Sequence, residues 1–231
     1  MEKWYKKSYF RNLVDMHIPS GNRNLENFDA EHYADCMEIA GVDTAYVYAS
    51  NCLGLCLFPS EIGFRHSITY KRDIFGETVD ALRRRSIRVV GYLNSWCAEG
   101  ARMHPEWQIQ NPDGSHAGDK SRFGQCCING PYRDYFHSLV YEMVSKYDIE
   151  GLWVDMIGFY TSQCCCNACR KKYKEETGFE LPQTINWQDE NYVRYIKFKL
   201  DSVSSYAKGI EESARRAKPN ISVSFQCAGW S

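Results

Sequence analysis

Residues 151–157 read Gly-Leu-Trp-Val-Asp-Met-Ile, an apolar run carrying one carboxylate, Asp155, near its end. A run this short, with aromatic and β-branched members, predicts a buried strand. Thr44 to Ser50, Ile87 to Ser95 and Ile221 to Gln226 have the same character, and a shorter apolar run spans Leu13 to Ile18. Between these runs lie segments with helical punctuation. Asn27 to Ala40 is closed by Gly41, Ile74 to Arg85 ends in arginines suited to a helix C-terminus, and Pro131 opens a helix through about Lys146. Ala168 to Thr177 stops at Gly178, and a longer helix runs from about Asp189 to Ala217.

Strands separated by helices imply parallel pairing with right-handed crossovers. The two candidate architectures are a closed eight-stranded barrel and an open doubly wound sheet. No G-x-G-x-x-G follows a strand, and the long loops (51–73, 96–130 and 158–166) all follow strand C-terminal ends. Loops enlarged on that side are how barrel enzymes build a site, so the expected fold is α/β, a TIM-type (β/α) barrel. It is incomplete: about four βα units plus a fifth strand occupy the chain. Residues 1–231 are therefore expected to be the N-terminal part of a single barrel catalytic domain, with later strands missing. Sequence downstream of Ser231 encoding three more βα units would settle that expectation.

Composition narrows the function. The 231 residues suffice for one sizeable core. A net charge of −1 with no basic stripe argues against nucleic acid and membrane partners. The N-terminus lacks the apolar core of a signal peptide, which makes a cytoplasmic location the default expectation. Eleven cysteines are too many to ignore, and adjacent ones cannot pair without strain. Cys164-x-Cys166-x-x-Cys169, with Cys127 upstream, has the spacing of a four-thiolate zinc site, the alternative being reduced cysteines without metal. Four thiolates leave no open position, so such a zinc is structural. Cys126 and Cys165 are expected bystanders, though either could exchange with its neighbour. Asn220-Ile221-Ser222 matches a glycosylation acceptor but opens an apparent strand.

The segments Cys127-Ile-Asn-Gly-Pro-Tyr-Arg133 and Cys164-Cys-Cys-Asn-Ala-Cys169 resemble the zinc cluster of family 42 β-galactosidases. From about Asn12 onward the chain is more similar still to the hypothetical glycosyl hydrolase 6 group, which includes family 151 α-L-fucosidases. Gly41-Val42-Asp43, Phe58-Pro59-Ser60, Arg65-His66, His104-Pro105-Glu106-Trp107 and Gly151 to Asp155 carry that resemblance by their order and spacing. It implies a glycosidase with Asp155 as nucleophile, matching the W-F-D segment of fucosidases in families 29 and 151. In family 42 the acid is a glutamate two residues beyond the matching aspartate; that position here is Ile157, which turns the expectation from galactosidase towards fucosidase. The resemblance also implies homo-oligomers of the full-length parent, since both families carry a trimerisation domain after the barrel.

A retaining glycosidase needs a second carboxyl group, and Glu99, after the third strand, is the candidate acid/base; Glu61 and residues beyond the chain are alternatives. For the glycoside substrate, His17, Asn51, Asn94, Trp96 and Gln226 stand at strand ends, and His66 and His104 lie in long loops. Their types suit holding sugar hydroxyls or an apolar ring face, and each could equally pack or cap. The competing functions are a family 42-like β-galactosidase, a non-catalytic or degenerate carbohydrate-binding barrel fragment, and a metalloenzyme using the cysteines.

Overall fold

Every strand of the central sheet runs parallel to its neighbours. A computed structural model describes residues 3–21, 23–116, 124–158 and 164–227. In chain order the strands are β1 (Arg11–Leu13), β2 (Thr44–Tyr48), the two-residue β3 (Leu55–Cys56) and β4 (Phe64–Arg65), β5 (Arg88–Asn94), β6 (Gly151–Ile157) and β7 (Ser222–Cys227). The sheet order is β1-β2-β5-β6-β7, with β3 and β4 forming a separate ladder. The helices are α1 (Ala30–Ile39), α2 (Ile74–Arg84), α3 (Ala98–Met103), α4 (Tyr132–Lys146), α5 (Asn167–Thr177) and α6 (Glu190–Ala217). Each parallel step of the sheet is thus crossed by helix, as strand polarity requires.

Local chemistry sets the helix ends. The Asp29 carboxylate caps α1 by accepting the His32 amide at 3.0 Å, and Asp73 caps α2 through the Gly76 amide at 2.9 Å. Gly178 closes α5 at φ +78°, a left-handed turn that favours glycine. The period-2 alternation of the strands then separates two interiors. Ala45, Val47, Val89, Leu93, Leu152 and Val154 pack against the helices in the main core. Aligned register places Tyr48, Tyr92 and Trp153 in one layer on the opposite face, with Asn94 level with Asp155 above them.

β1 lies earlier than the apolar run suggested, at residues 11–13, paired Arg11 to Thr44 and Leu13 to Tyr46. The reason is a polar anchor. The Asp43 carboxylate accepts the Ser8 hydroxyl at 2.6 Å and the Tyr9 and Phe10 amides at 2.8 and 3.0 Å, fixing the register ahead of β2. His17 therefore belongs to the loop beyond β1. Burial alone would raise the Asp43 carboxyl, but the Ser8, Phe10, Tyr9 and Thr44 hydrogen bonds prevail and hold it at about 2. A carboxyl depressed in the fold below its unfolded value of about 3.9 stabilises above that value. That contribution is lost as pH falls from about 4 to about 2. Asp43→Asn is expected to lower the melting temperature at pH 7, with the gap to wild type closing below about pH 2; scanning calorimetry across that range checks it.

Candidate functional site

Asp155 stands at the C-terminal end of β6, next to Asn94 on β5. Its Oδ2 accepts the Tyr92 hydroxyl at 2.6 Å and lies 3.4 Å from Asn94 Nδ2. Its Oδ1 is buried and accepts no hydrogen bond from the described residues. Met156, the next residue, has φ +59°, and the pairing of β6 with β7 slips between Val154 and Ile157. A non-glycine residue in that region costs on the order of 1–3 kcal/mol, and bulges at strand ends re-aim side chains.

Aromatic rings floor the site. Tyr48 and Tyr92 stack at 3.9 Å between centroids, and Trp153 meets Tyr92 edge-on at 5.3 Å. Burial, and then the Asp155 carboxylate, push the Tyr92 phenol far above its ordinary range, so it stays a hydrogen donor. His17 leans on Tyr48 at 5.1 Å; its Nδ1 accepts the Cys52 amide at 3.0 Å, and its Nε2 lies 3.5 Å from the Tyr48 hydroxyl.

Asn94 thus meets Asp155 directly, and His17 joins it through the two tyrosines. Trp96 is half-buried beside them, its amide donating to Asn94 Oδ1 at 2.8 Å. The other candidates are otherwise engaged. Asn51 Oδ1 accepts the Leu53 and Leu55 amides at 3.0 and 3.1 Å, and its Nδ2 donates to the Ile18 carbonyl at 2.8 Å, so the side chain staples a loop. His66 is fully buried, with Nδ1 accepting the Ile68 amide and Nε2 on the Pro19 carbonyl. Burial lowers its proton affinity, and neither ring nitrogen is left for a sugar hydroxyl. His104 stacks on Trp107 at 4.0 Å, near Glu106. Glu99 forms an ion pair with Arg102 on α3, and no described hydrogen bond joins it to Asp155. Gln226 is exposed on β7, an edge of the sheet. Tyr48 and Tyr92 were not singled out from sequence, where inward tyrosines in a strand look like core.

Cys127, Cys164, Cys166 and Cys169 form a second centre, all buried with their sulfurs within 4.8 Å of one another. Cys127 Sγ lies 3.4 Å from Cys169 Sγ and 3.5 Å from Cys166 Sγ. A zinc–sulfur bond of about 2.3 Å sets tetrahedral edges of about 3.8 Å, so the four sulfurs suit a tetrahedral ion. Proton sharing says the same. Hydrogen bonds from Cys127, Cys164 and Cys169 hold the Cys166 thiol far below its usual range, and hydrogen bonds to its three neighbours, with burial, push Cys127 well up. A divalent cation held by the four sulfurs would replace those contested protons. Asn129 Nδ2 donates to Cys169 Sγ at 3.5 Å, and the Tyr195 hydroxyl accepts the Cys164 amide at 2.9 Å. Cys126 faces away, its thiol directed at the Cys97 carbonyl 3.6 Å off, and Cys165 stands outside the four. Residues 159–163, which join Asp155's strand to the cluster, lie outside the described residues.

Two clefts lie elsewhere. One of about 310 Å³ includes Trp4, Tyr46, Val90 and Ser222, at the N-terminal end of the strands; the other, of about 530 Å³, lies between α1 and α2 with Asp29, Arg72 and Arg84. Neither is lined by Asp155, although strand C-terminal ends are where barrel catalytic groups collect.

A parallel sheet crossed by helices, with a carboxylate at a strand's C-terminal end, is consistent with part of a TIM-type fold. The chain belongs to the hypothetical glycosyl hydrolase 6 family, whose model matches residues 29–156. Among solved structures it is similar to α-L-fucosidase isoenzyme 2 from Paenibacillus thiaminolyticus, with a TM-score of 0.79 and 22% identity over 95% of this chain and 32% of that one. A β-galactosidase from Bacillus circulans sp. alkalophilus gives 0.67 and 19% identity over 96% of this chain and 37% of that one. A hypothetical protein from Ruminiclostridium thermocellum gives 0.58 and 15% identity, over 85% of this chain and 90% of that one. At these identities the likeness is one of fold. The chain spans about a third of the length of the fucosidase and galactosidase. No curated protein matches it. Among the described residues no helix is long and apolar enough to cross a membrane.

Proposed function

We propose that this chain forms the front of a (β/α) barrel whose complete form is a retaining exo-glycosidase of the α-L-fucosidase-like kind, with Asp155 as nucleophile. The observation that carries the reading is the Asp155 carboxylate itself. One oxygen is tied down by Tyr92 while the other is buried and accepts no hydrogen bond from the described residues, which is costly unless something arrives to use it. In a retaining mechanism a carboxylate attacks the anomeric carbon, a carboxylic acid protonates the departing oxygen, and water then releases the sugar. Glu99 stays a candidate acid only if it leaves Arg102. Ile157, at the position of the family 42 acid, is buried and apolar, which favours the fucosidase-like arrangement over a galactosidase-like one. The cysteine centre holds a structural zinc in this reading. Zinc there would tie the turn before α4 to the start of α5, and none of the chemistry above passes through it.

A panel of nitrophenyl glycosides offered to the complete protein tests the reading. Release from the α-L-fucoside is expected, at a rate well above that from the β-D-galactoside. A preference for the galactoside would move the assignment to the family 42-like alternative. No turnover together with measurable sugar binding by calorimetry would move it to a carbohydrate-binding barrel; the sheet edges at β1 and β7 are the observation favouring that second reading.

A further inference from the structure

We propose that Tyr92, clamped by its stack on Tyr48, sorts the two oxygens of Asp155, making Oδ2 the anchor and Oδ1 the oxygen that attacks the sugar; the proposal rests on the glycosidase reading above. Proton inventory at the site supports it. Asn94 Oδ1 accepts the Trp96 amide at 2.8 Å, which orients the side chain so that Nδ2 faces Tyr92. Nδ2 donates to the Tyr92 oxygen at 2.8 Å. The single proton of the Tyr92 hydroxyl then goes to Asp155 Oδ2 at 2.6 Å, a short charge-assisted bond. Asn94 Nδ2 lies 3.4 Å from the same oxygen. Both nearby donors thus converge on Oδ2. A carboxylate held for structure alone would have both oxygens satisfied, and among the described residues nothing donates to Oδ1.

The clamp is rigid because the Tyr92 ring has little freedom. It is about 1% exposed, lies parallel to Tyr48 within 18°, and is met edge-on by Trp153. Tyr48 in turn lies under His17, its hydroxyl 3.5 Å from His17 Nε2. His17 is therefore a positioning residue at the far end of the chain of contacts, held by the Cys52 amide. Orientation of this kind is what keeps a nucleophile within attack distance of its target. In the step itself, the sugar must first displace what covers Oδ1, which then bonds to the anomeric carbon as the bond to the leaving oxygen breaks. That oxygen keeps the electron pair and takes a proton from the site's carboxylic acid. Water then attacks the same carbon and gives its proton back to that acid, and the pair of the carbon–Oδ1 bond returns to Asp155.

Tyr92→Phe keeps the ring and removes only the hydroxyl. In the complete protein kcat for the preferred glycoside is expected to fall by about 10–100-fold with KM unchanged within about twofold, the mark of a lost interaction that matters at the transition state. Tyr48→Phe is expected to show a smaller loss of the same kind. In this chain, labelled with carbon-13 at aspartate carboxyls, the Asp155 resonance is expected to be displaced by Tyr92→Phe. If Tyr92→Phe does not fold, 3-fluorotyrosine at position 92 alters the same hydrogen bond without removing it, and must displace the same resonance. An unmoved resonance, or an unchanged kcat in an active protein, overturns the proposal. A complete wild-type protein without glycosidase activity would sink the functional reading instead, and the carboxyl resonance would still decide whether Tyr92 holds Asp155.

Discussion

Asp155→Asn in the complete protein is expected to reduce turnover of the preferred glycoside by at least about 10⁴-fold, the scale on which removal of a covalent nucleophile acts. The amide matches the carboxylate in size and can still accept from Tyr92 through its one oxygen, Oδ1, so the strand end should keep its shape. What it lacks is the negative charge that bonds to an oxocarbenium-like carbon. Stability should change little, because Oδ1 accepts no hydrogen bond from the described residues that the substitution could remove. Melting temperatures within a few degrees of wild type, alongside that loss of rate, would separate chemistry from folding. Azide or formate added to an alanine variant, where a small anion can enter the space, is expected to restore part of the rate.

The second large effect concerns the cysteine centre. Stripping metal with a strong chelator is expected to lower the melting temperature, and Cys169→Ser to do so by roughly 10 °C. That figure takes a loss of about 4 kcal/mol, the scale of a lost metal site, at about 2–4 °C per kcal/mol in a domain of this size. The cluster holds together parts far apart in the chain, Cys127 before α4 and Cys164, Cys166 and Cys169 around the start of α5. It also sits at the heart of a separate small core with Tyr173, Tyr192, Tyr195 and Phe198. Loss of the metal should therefore loosen α5 and the first part of α6 before the main sheet. Cys165→Ser is the control, expected to leave metal content unchanged; elemental analysis reading about one zinc per chain in it, and much less in Cys169→Ser, is the expected pattern. Equal zinc in both variants would contradict the ligand set.

Much of this was legible in the sequence because the signals were local. Gly41 and Gly178 end helices through left-handed backbone, and the apolar runs of β2, β5 and β6 are too short and too β-branched or aromatic for helix. The cysteine spacing was legible for the same reason; the preference for Cys127 over Cys126, which could have exchanged, is decided by the structure, where the Cys126 thiol turns to the Cys97 carbonyl. What escaped depended on register across the sheet. Nothing local marks Tyr92 as Asp155's partner, because the contact exists only once β5 and β6 align Asn94 with Asp155. Asn51 and His66 look like strand-end and loop polar groups in sequence, yet their hydrogen-bonding capacity is spent on amides and carbonyls of their own loops. β1 was displaced because its position is set by Asp43, thirty-odd residues away, through the Tyr9 and Phe10 amides.

In the proposed mechanism Asp155 bonds covalently to the sugar. Mass spectrometry of the complete protein after incubation with a fluorinated glycoside, whose covalent intermediate hydrolyses slowly, measures this directly. One sugar per chain, on the peptide containing Asp155 and released when unlabelled substrate is restored, is the expected result. A labelled carboxylate anywhere else, or steady turnover of the parent glycoside with no label at Asp155, would contradict it.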